Sequence, residues 1–251
     1  MNVCLKTAPE RAAVLIPTNN RPAAAGLQAA AKICSFSGTS SQPHHKGVPV
    51  LSYCKWTGAS ALDRRYHDYE WGVPVHDDRT MFEFLMLEAM QCGLSWEIVL
   101  RKREIMRACF DNFDFVKISA YTDDDVERIM NTEGMIRSRR KIQAVVGNAR
   151  CFLEITAQFG SFCSFLWSFT DNKSIVYTDH RGSGMPVCNA LSVRVAAELK
   201  KRGFKYLGPV TVYSHLQGCG IINDHDYDCP CYKRIVQEHP VQFRTDEGAQ
   251  Y

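Results

Sequence analysis

The chain has 251 residues, 45% of them hydrophobic, and a formal net charge of +3 at pH 7. This length fits one domain or two small ones, with enough apolar residues for a sizeable core. No apolar run approaches the roughly 20 residues that cross a bilayer, so a transmembrane protein is excluded. The net charge is too small to indicate a nucleic-acid partner unless basic residues are clustered.

The first 50 residues differ in composition from the rest of the chain. They are rich in Ala, Pro and Ser, and their charged residues are Lys6, Glu10, Arg11, Arg21, Lys32 and Lys46. Such a segment cannot bury a core of its own. We expect a disordered tail or a targeting segment, because organelle transit peptides also carry Arg and Ser and few acids. The folded domain is predicted to span residues 51 to 235, with a C-terminal tail at 236 to 251.

The cysteines indicate the compartment. There are 11, an odd number, and no secretory signal precedes them. This pattern favours a reducing, intracellular compartment over a disulfide scaffold. We expect the nucleus or an organelle if residues 1 to 50 are a targeting segment, and the cytoplasm otherwise.

Helical periodicity dominates the folded part, and the fold class is predicted to be all-α. Thr122 is expected to cap one helix, and Lys200, Lys201, Arg202 and Gly203 to end another. The basic run 101 to 103 is interpreted as an exposed helix face. The predicted helices cover residues 79 to 91, 96 to 110, 122 to 131, 137 to 158, 161 to 169, 188 to 202 and 209 to 219. The clearest strand candidate is 174 to 178.

Glu88 lies within an apolar stretch, residues 81 to 90, whose hydrophobic side chains cover nearly the whole helix circumference. This pattern is typical of a buried helix, so Glu88 is predicted to be inside the protein. Tyr66, Trp71 and Trp96 lie nearby in sequence and offer flat faces to a planar ligand. The alternative is a structural Glu bonded to an arginine or a backbone amide, with the aromatic residues as ordinary core.

Four residues at the two ends of the domain can ligate a metal. Cys54 and His67 lie at its start, and His225 and Cys229 lie near its end. Together they can form a tetrahedral structural zinc site that joins the ends of the domain. Cys231 competes with Cys229 as a ligand, and a chance grouping of polar residues is the alternative interpretation.

A basic segment separates two predicted helices. Arg137, Arg139, Arg140 and Lys141 follow Gly134 with no acidic residue among them. Turns between helices present backbone amides and basic side chains to phosphates, as a helical hairpin does on DNA. A solvated charged turn is the alternative. The chain has no P-loop, dinucleotide-binding, nucleophile-elbow or iron–sulfur motif.

Five separated blocks of sequence resemble the bacterial-type 3-methyladenine DNA glycosylase I family. They occur in the family's order and span about residues 54 to 232. The blocks are Cys54-Lys55-Trp56, Tyr66-His67-Asp68-Tyr69-Glu70-Trp71-Gly72-Val73-Pro74, Leu87-Glu88-Ala89-Met90-Gln91-Cys92-Gly93-Leu94-Ser95-Trp96, Gly203-Phe204-Lys205-Tyr206-Leu207-Gly208 and Asn223-Asp224-His225.

The resemblance implies an all-α, helix-hairpin-helix DNA glycosylase that acts on double-stranded DNA containing alkylated bases. We expect it to be a monomer. It implies a structural zinc ion (Zn²⁺) at the four ligands and excision of 3-methyladenine in base-excision repair. The implied base pocket consists of Tyr66, Trp71, Glu88 and Trp96. In it, an ionised Glu88 accepts from the exocyclic amine of a cationic base, and the rings of Tyr66 and Trp96 attract that cation.

The implied DNA contacts include a wedge. Leu94, next to Gly93 in a turn, is a candidate to fill the gap that an extruded base leaves, although it can equally pack in the core. Two positions depart from the family pattern. Arg140 stands where Gly is common in the hairpin turn, and Cys188-Asn189 replaces Ser-Asp. No water-activating Asp is evident. A non-catalytic zinc-stapled DNA-binding module and a glycosylase of broader purine range are the alternatives.

Overall fold

A computed structural model describes residues 54 to 57, 60 to 180 and 185 to 247. The predicted tail of residues 1 to 50 lies outside these ranges. The described chain is mainly helical, as predicted. Its helices are α1 (Ala61–Tyr69), α2 (Asp78–Gln91), α3 (Trp96–Cys109), α4 (Phe115–Ser119), α5 (Asp123–Asn131), α6 (Arg139–Phe159), α7 (Phe162–Trp167), α8 (Ala190–Lys201), α9 (Pro209–Gly218) and α10 (Pro230–Glu238).

Helix α2 is the centre of the fold. Every residue from Met81 to Met90 is buried, which confirms the burial predicted from its apolar circumference. It packs against α3, α6, α7 and α9. A helix with neighbours on all sides keeps its side chains away from water. The part of α2 that contains Glu88 therefore lies in the protein interior.

Side-chain caps fix where the helices begin. The Asp77 carboxylate accepts from Thr80 N at 2.8 Å to start α2, and Ser95 accepts from Ile98 N to start α3. The predicted cap at Thr122 is confirmed, since its backbone N–H donates to the Asp125 carboxylate at 3.0 Å. These bonds satisfy amides that have no partner within the helix.

Asn189, one of the two departures from the family pattern, caps α8. Its side chain accepts from Ser192 N at 3.0 Å, and Asn189 and Cys188 are both buried. The departure from the family pattern at Cys188 and Asn189 therefore affects the start of α8 and not an exposed DNA-contacting surface.

Two short strands complete the fold. Strand β1 (Ser174–Tyr177) pairs in parallel with β2 (Val241–Arg244), with Ser174 opposite Val241. The first strand matches the prediction, but the predicted domain end at residue 235 and the tail at 236 to 251 are wrong. Helix α10 runs to Glu238 and β2 is part of the sheet. The folded region therefore extends at least to Asp246, which bonds His180.

None of the helices among the described residues is long and apolar enough to span a bilayer.

Candidate functional site

A cavity of about 260 Å³ opens beside the buried end of α2. It lies where α1, α2, α3 and α9 meet, and all four aromatic and acidic residues predicted from the sequence line it. Among the described residues, the cavity is lined by Trp56, Tyr66, Trp71, Glu88, Gln91, Trp96, Met185, Ser214 and Gln217. A concave, mostly apolar space with a few polar groups is typical of a small-molecule site.

Glu88 is buried but unpaired, unlike its neighbour in the same helix. Glu83 accepts from Arg103 at 2.6 Å and from Arg107 at 2.8 Å, and Arg103 also bonds Glu70. Arg103 is therefore buried in an ion-pair network, and its interpretation as part of an exposed basic face is wrong. The Glu88 carboxyl has no hydrogen bond or ion pair within the described residues. The alternative interpretation, a structural Glu bonded to an arginine, therefore applies to Glu83 and not to Glu88.

Burial dominates the electrostatics of this cavity. It raises the pKa of Glu88 from 4.5 to about 8, because an ionised carboxylate is poorly solvated there. This shift favours the protonated acid at neutral pH, whereas the sequence-based interpretation uses an ionised Glu88. The pKa of Tyr66 is also raised, first by burial and then by the charge of Glu88. Tyr66 is a neutral hydroxyl donor.

Aromatic rings form most of the cavity wall. Tyr66 and Trp96 lie 5.1 Å apart between ring centroids, and Trp56 meets Trp71 edge to face at 4.7 Å. The indole N–H groups of Trp56 and Trp96 are buried and have no hydrogen-bond partner within the described residues. Unpaired donors are uncommon in protein interiors, and both of these belong to side chains that line the cavity.

Five lining residues were not predicted: Trp56, Gln91, Met185, Ser214 and Gln217. Ser214 and Gln217 share a face of α9, because residues three apart in a helix are neighbours. The next residue, Gly218, explains why α9 comes so near: a Cβ there would lie 3.1 Å from the Tyr66 hydroxyl. The sequence signal for the α9 side of the cavity was the Ser-x-x-Gln spacing within a mainly apolar helix.

The four predicted metal ligands form one buried cluster. Ligand atoms of Cys54, His67, His225 and Cys229 all lie within 4.8 Å of one another. Cys54 Sγ lies 3.4 Å from His225 Nδ1, and Cys229 Sγ lies 3.6 Å from His67 Nε2 and 3.7 Å from His225 Nδ1. Tetrahedral zinc with bonds of about 2.3 Å to sulfur and about 2.0 Å to nitrogen requires S···N separations of about 3.6 Å. The cluster therefore fits such an ion.

The remaining ring nitrogens are held by acceptors. His67 Nδ1 pairs with the Asp68 carboxylate at 2.8 Å, and His225 Nε2 pairs with the Trp71 carbonyl at 3.0 Å. Such outer contacts fix which nitrogen faces a metal. Cys231 Sγ instead contacts the Asp68 carbonyl at 3.8 Å. The geometry therefore favours Cys229 over Cys231 as the fourth ligand.

The cluster lies directly behind the cavity. Adjacent residues of α1 serve both, since Tyr66 lines the cavity while His67 belongs to the cluster. The Trp71 ring packs edge to face on His225 at 4.5 Å. The same segment thus positions the aromatic wall and the candidate ligands, so loss of the cluster would disturb the cavity.

The turn that contains Leu94 lies between α2 and α3. Gly93 has a φ of +78°, which a residue with a side chain rarely adopts. Gln91 Nε2 donates to the Leu94 carbonyl at 2.8 Å, which ties the turn to the cavity lining. Leu94 is half-buried and does not belong to the main hydrophobic core.

Lys141 supports that turn. Its ammonium donates to the carbonyls of Met90 at 2.8 Å and Cys92 at 2.5 Å. Burial lowers the pKa of Lys141. The side chain thus caps the carboxyl end of α2, a position where a cation is stabilised by the helix dipole. Lys141 is therefore bonded within the protein, whereas the sequence predicted that it contacts a DNA phosphate.

The other three basic residues of the predicted hairpin lie on the surface. Arg139 pairs with Glu127, whereas Arg137 and Arg140 are exposed and have no ion-pair partner in the described part of the chain. Arg140 is the second residue of α6 and is not in the turn. The turn glycine is Gly134, with a φ of +78°.

Comparisons with known proteins identify relatives of this chain. The family model for methyladenine glycosylase matches residues 56–232. DNA-3-methyladenine glycosylase 1 of Escherichia coli is 45% identical over 182 residues, which cover 72% of this chain and 97% of that protein. DNA-3-methyladenine glycosylase of Haemophilus influenzae is 40% identical over 182 residues, which cover 72% of this chain and 98% of that protein.

Solved structures agree with these relatives. A crystal structure of 3-methyladenine DNA glycosylase I is 44% identical with a TM-score of 0.68, covering 72% of this chain and 99% of the other. A structure of a variant of 3-methyladenine DNA glycosylase I in complex with 3-methyladenine is 33% identical with a TM-score of 0.69, covering 72% of this chain and 97% of the other.

Proposed function

The chain belongs to the methyladenine glycosylase family, and from this premise we propose how its cavity performs the reaction. The protein is a DNA-repair glycosidase that excises 3-methyladenine from alkylated DNA. The observation that carries the assignment of the site is Glu88, a buried and unpaired carboxyl beside two unpaired indole N–H groups in an aromatic cavity. A fold seldom keeps such groups without a ligand to satisfy them.

The chemistry requires little acid catalysis. A 3-methylated deoxyadenosine carries a positive charge, so its N-glycosidic bond is weak before the enzyme acts. The electron pair of the C1′–N9 bond returns to the ring, and the base leaves as neutral 3-methyladenine. Water supplies the hydroxyl to C1′ and releases a proton, which leaves an abasic site. We assign no residue to activate this water.

We assign recognition of the cationic base to Glu88, Tyr66 and Trp96. Positive charge next to Glu88 favours its ionised form, so the acid is expected to lose its proton when the cation enters. The carboxylate then accepts from the exocyclic amine, a charge-assisted hydrogen bond. Tyr66 and Trp96 add their ring faces, which attract cations strongly in a dry site. Trp71 supports the ring wall, and Trp56 completes it.

The DNA is proposed to be double-stranded and held by α5, the turn 132 to 138 and α6, as a helix-hairpin-helix. Arg137 and Arg140 are exposed and supply phosphate contacts, whereas Lys141 acts by holding the turn that contains Leu94. Extruding the base costs a few kcal/mol. Leu94, next to Gly93 with its φ of +78°, enters the vacated space as a wedge.

The Cys54, His67, His225 and Cys229 cluster is proposed to hold one structural zinc ion. Four thiolate and imidazole ligands complete its coordination, so it leaves no open position for catalysis. The ion would fix α1 to the segment before α10 and keep Tyr66 and Trp71 in place. A zinc-stapled DNA-binding module without catalysis does not require the unpaired Glu88. The presence of this carboxyl therefore supports an enzyme over such a module.

Release of the base from randomly methylated duplex DNA tests this function. Chromatography of the supernatant should show 3-methyladenine as the main product. A protein that binds the duplex but releases no base would be a binding module. A protein that releases several methylated or deaminated purines at similar rates would have a broader range.

A further inference from the structure

The side-chain amide of Gln217 faces the cavity in an orientation that its neighbours fix. Gln217 is buried on α9, and its Nε2 lies 2.9 Å from Asp224 Oδ2. A carboxylate only accepts hydrogen bonds, so the atom facing it must be the NH₂ group. The second donor of that group points at the Met185 sulfur at 3.3 Å. Oε1 is left as the amide atom without a partner in the described part of the chain.

Asp224 cannot turn away from Gln217, because other donors hold it. Tyr213 donates its hydroxyl to Asp224 Oδ2 at 2.5 Å, and His180 Nδ1 pairs with Asp224 Oδ1 at 2.9 Å. The other ring nitrogen of His180 pairs with Asp246 at 2.9 Å. An imidazole between two carboxylates donates from both nitrogens. The network therefore runs from the last described segment to the cavity wall and is satisfied at each step.

We propose that Gln217 is a specificity-determining residue whose Oε1 accepts the second hydrogen of the exocyclic amine of the bound base, with Asp224 as the residue that positions it. The inference rests on the proposed function, since it assumes that this cavity holds an alkylated adenine. An adenine amine has two N–H donors. Glu88 accepts one from α2, and Gln217 accepts the other from α9, the helix packed against α2.

Glu88 and Gln217 differ in whether they can bind a purine that has no amine at C6. A 6-oxopurine presents a carbonyl oxygen where adenine has its amine. A protonated Glu88 can adapt, because it then donates to that oxygen. Gln217 cannot adapt, since turning its amide would place Oε1 against the Asp224 carboxylate. Two acceptors facing each other leave a buried group unsatisfied, and a site built for an N–H rejects an analogue without it.

The test compares two neutral free bases, 3-methyladenine and 3-methylhypoxanthine, which differ in the C6 substituent and in one ring N–H. Their dissociation constants are measured by quenching of tryptophan fluorescence in the full-length protein. The wild-type protein should prefer 3-methyladenine by at least about tenfold. Gln217→Met keeps the length of the side chain and removes both amide groups. It should reduce this preference by roughly tenfold, chiefly by weakening the binding of 3-methyladenine.

Tyr213→Phe is the graded comparison. It removes one of the donors that hold Asp224, and Tyr213 does not line the cavity. Because His180 still holds Asp224 Oδ1, this variant should reduce the preference by less than Gln217→Met does. A wild-type preference near one, or an unchanged preference in folded Gln217→Met or Gln217→Leu, would overturn this inference alone. Failure of the wild-type protein to release 3-methyladenine from methylated DNA would instead contradict the proposed function.

Discussion

Two glutamates of α2 show how partners decide what a buried carboxyl does. Glu83 faces the guanidinium groups of Arg103 and Arg107, which compensate for its loss of water. Glu88, five residues later, has no such partner and its pKa rises to about 8. Glu83 therefore stabilises the packing of α3 on α2. Ionisation of Glu88 therefore destabilises the fold, and a cationic ligand beside the carboxylate compensates for this loss of stability.

The pKa of Glu88 predicts how stability depends on pH. Its folded-state pKa, about 8, lies above the ordinary value of 4.5, so the fold prefers the protonated acid. This contribution is complete below the ordinary pKa and is lost as the pH rises through about 8. Glu88→Gln cannot ionise, and at pH 8.5 it should be more stable than the wild type by on the order of a few kcal/mol.

Melting temperatures of both proteins from pH 5 to 9 check this prediction. The difference between them should be small at pH 5 and should grow with pH. A constant difference across this range would mean that Glu88 keeps an ordinary pKa. Glu83→Gln serves as the contrast, because removing a partner from two buried arginines should destabilise the protein at every pH in the range.

At the scale of elements, apolar periodicity predicts the interior helices well. The bounds of α2, α3, α5 and α6 agree with the prediction to within two residues, because each buries a regular apolar stripe. Helix α1 was missed, since its buried residues are only Tyr66 and His67. Strand β2 was missed because it is short and half-exposed. Such segments are ordered by contacts that lie far away in sequence.

The residues of the site also divide into those that a local sequence pattern predicts and those that depend on contacts far away in sequence. Glu88 could be found because the apolar residues of its own helix lie within one stretch of sequence. Cys54 and Cys229 are 175 positions apart in the chain, so residue types alone left a chance grouping open, and the family resemblance favoured the ligand cluster. Gln217 was missed because its role depends on Asp224 and His180, two contacts that no local pattern encodes.

The turn between α2 and α3 carries a prediction about base extrusion. If Leu94 fills the gap in the duplex, Leu94→Ala should slow excision from a paired site by roughly tenfold, since the wedge offsets part of the few kcal/mol of unstacking. Excision should change much less when the lesion lies in single-stranded DNA, where no gap must be filled. Single-turnover rates on the two substrates check this.

Ile98→Ala is the control for this measurement. Ile98 lies four residues after Leu94, in the first turn of α3, and is exposed. Ile98→Ala therefore removes a comparable apolar side chain that has no place in the proposed wedge. Equal slowing of both substrates by Leu94→Ala, or equal effects of the two variants, would mean that Leu94 only packs against its neighbours.

At the scale of the whole molecule, the ligand cluster joins the beginning and end of the described chain. Purified protein should contain about one zinc per chain, as a closed four-ligand site requires. Cys229→Ala should lose the metal and melt at a lower temperature, because ion binding contributes directly to folding. Cys231→Ala should keep the metal. Elemental analysis of the three proteins decides between these ligands, and a folded wild-type protein without metal would refute the site.

Residues 1 to 50 are predicted to be dispensable for the chemistry, because the family match begins at residue 56. A shortened protein that starts at Pro49 should excise 3-methyladenine from naked duplex DNA at the full-length rate. The comparison is made under single-turnover conditions at one salt concentration, since DNA affinity depends on salt. A large loss of activity would show that the N-terminal segment belongs to the active structure.

Single-turnover excision of 3-methyladenine by the wild type and by Glu88→Gln, on samples whose melting confirms that both are folded, tests the role of Glu88 most directly. The amide keeps the shape of the side chain and removes the charge that the cationic base requires. Loss of one charge-assisted hydrogen bond costs on the order of 1.5 to 3 kcal/mol, so the rate should fall roughly ten- to a hundredfold. A folded Glu88→Gln protein that excises the base at the wild-type rate would contradict the account.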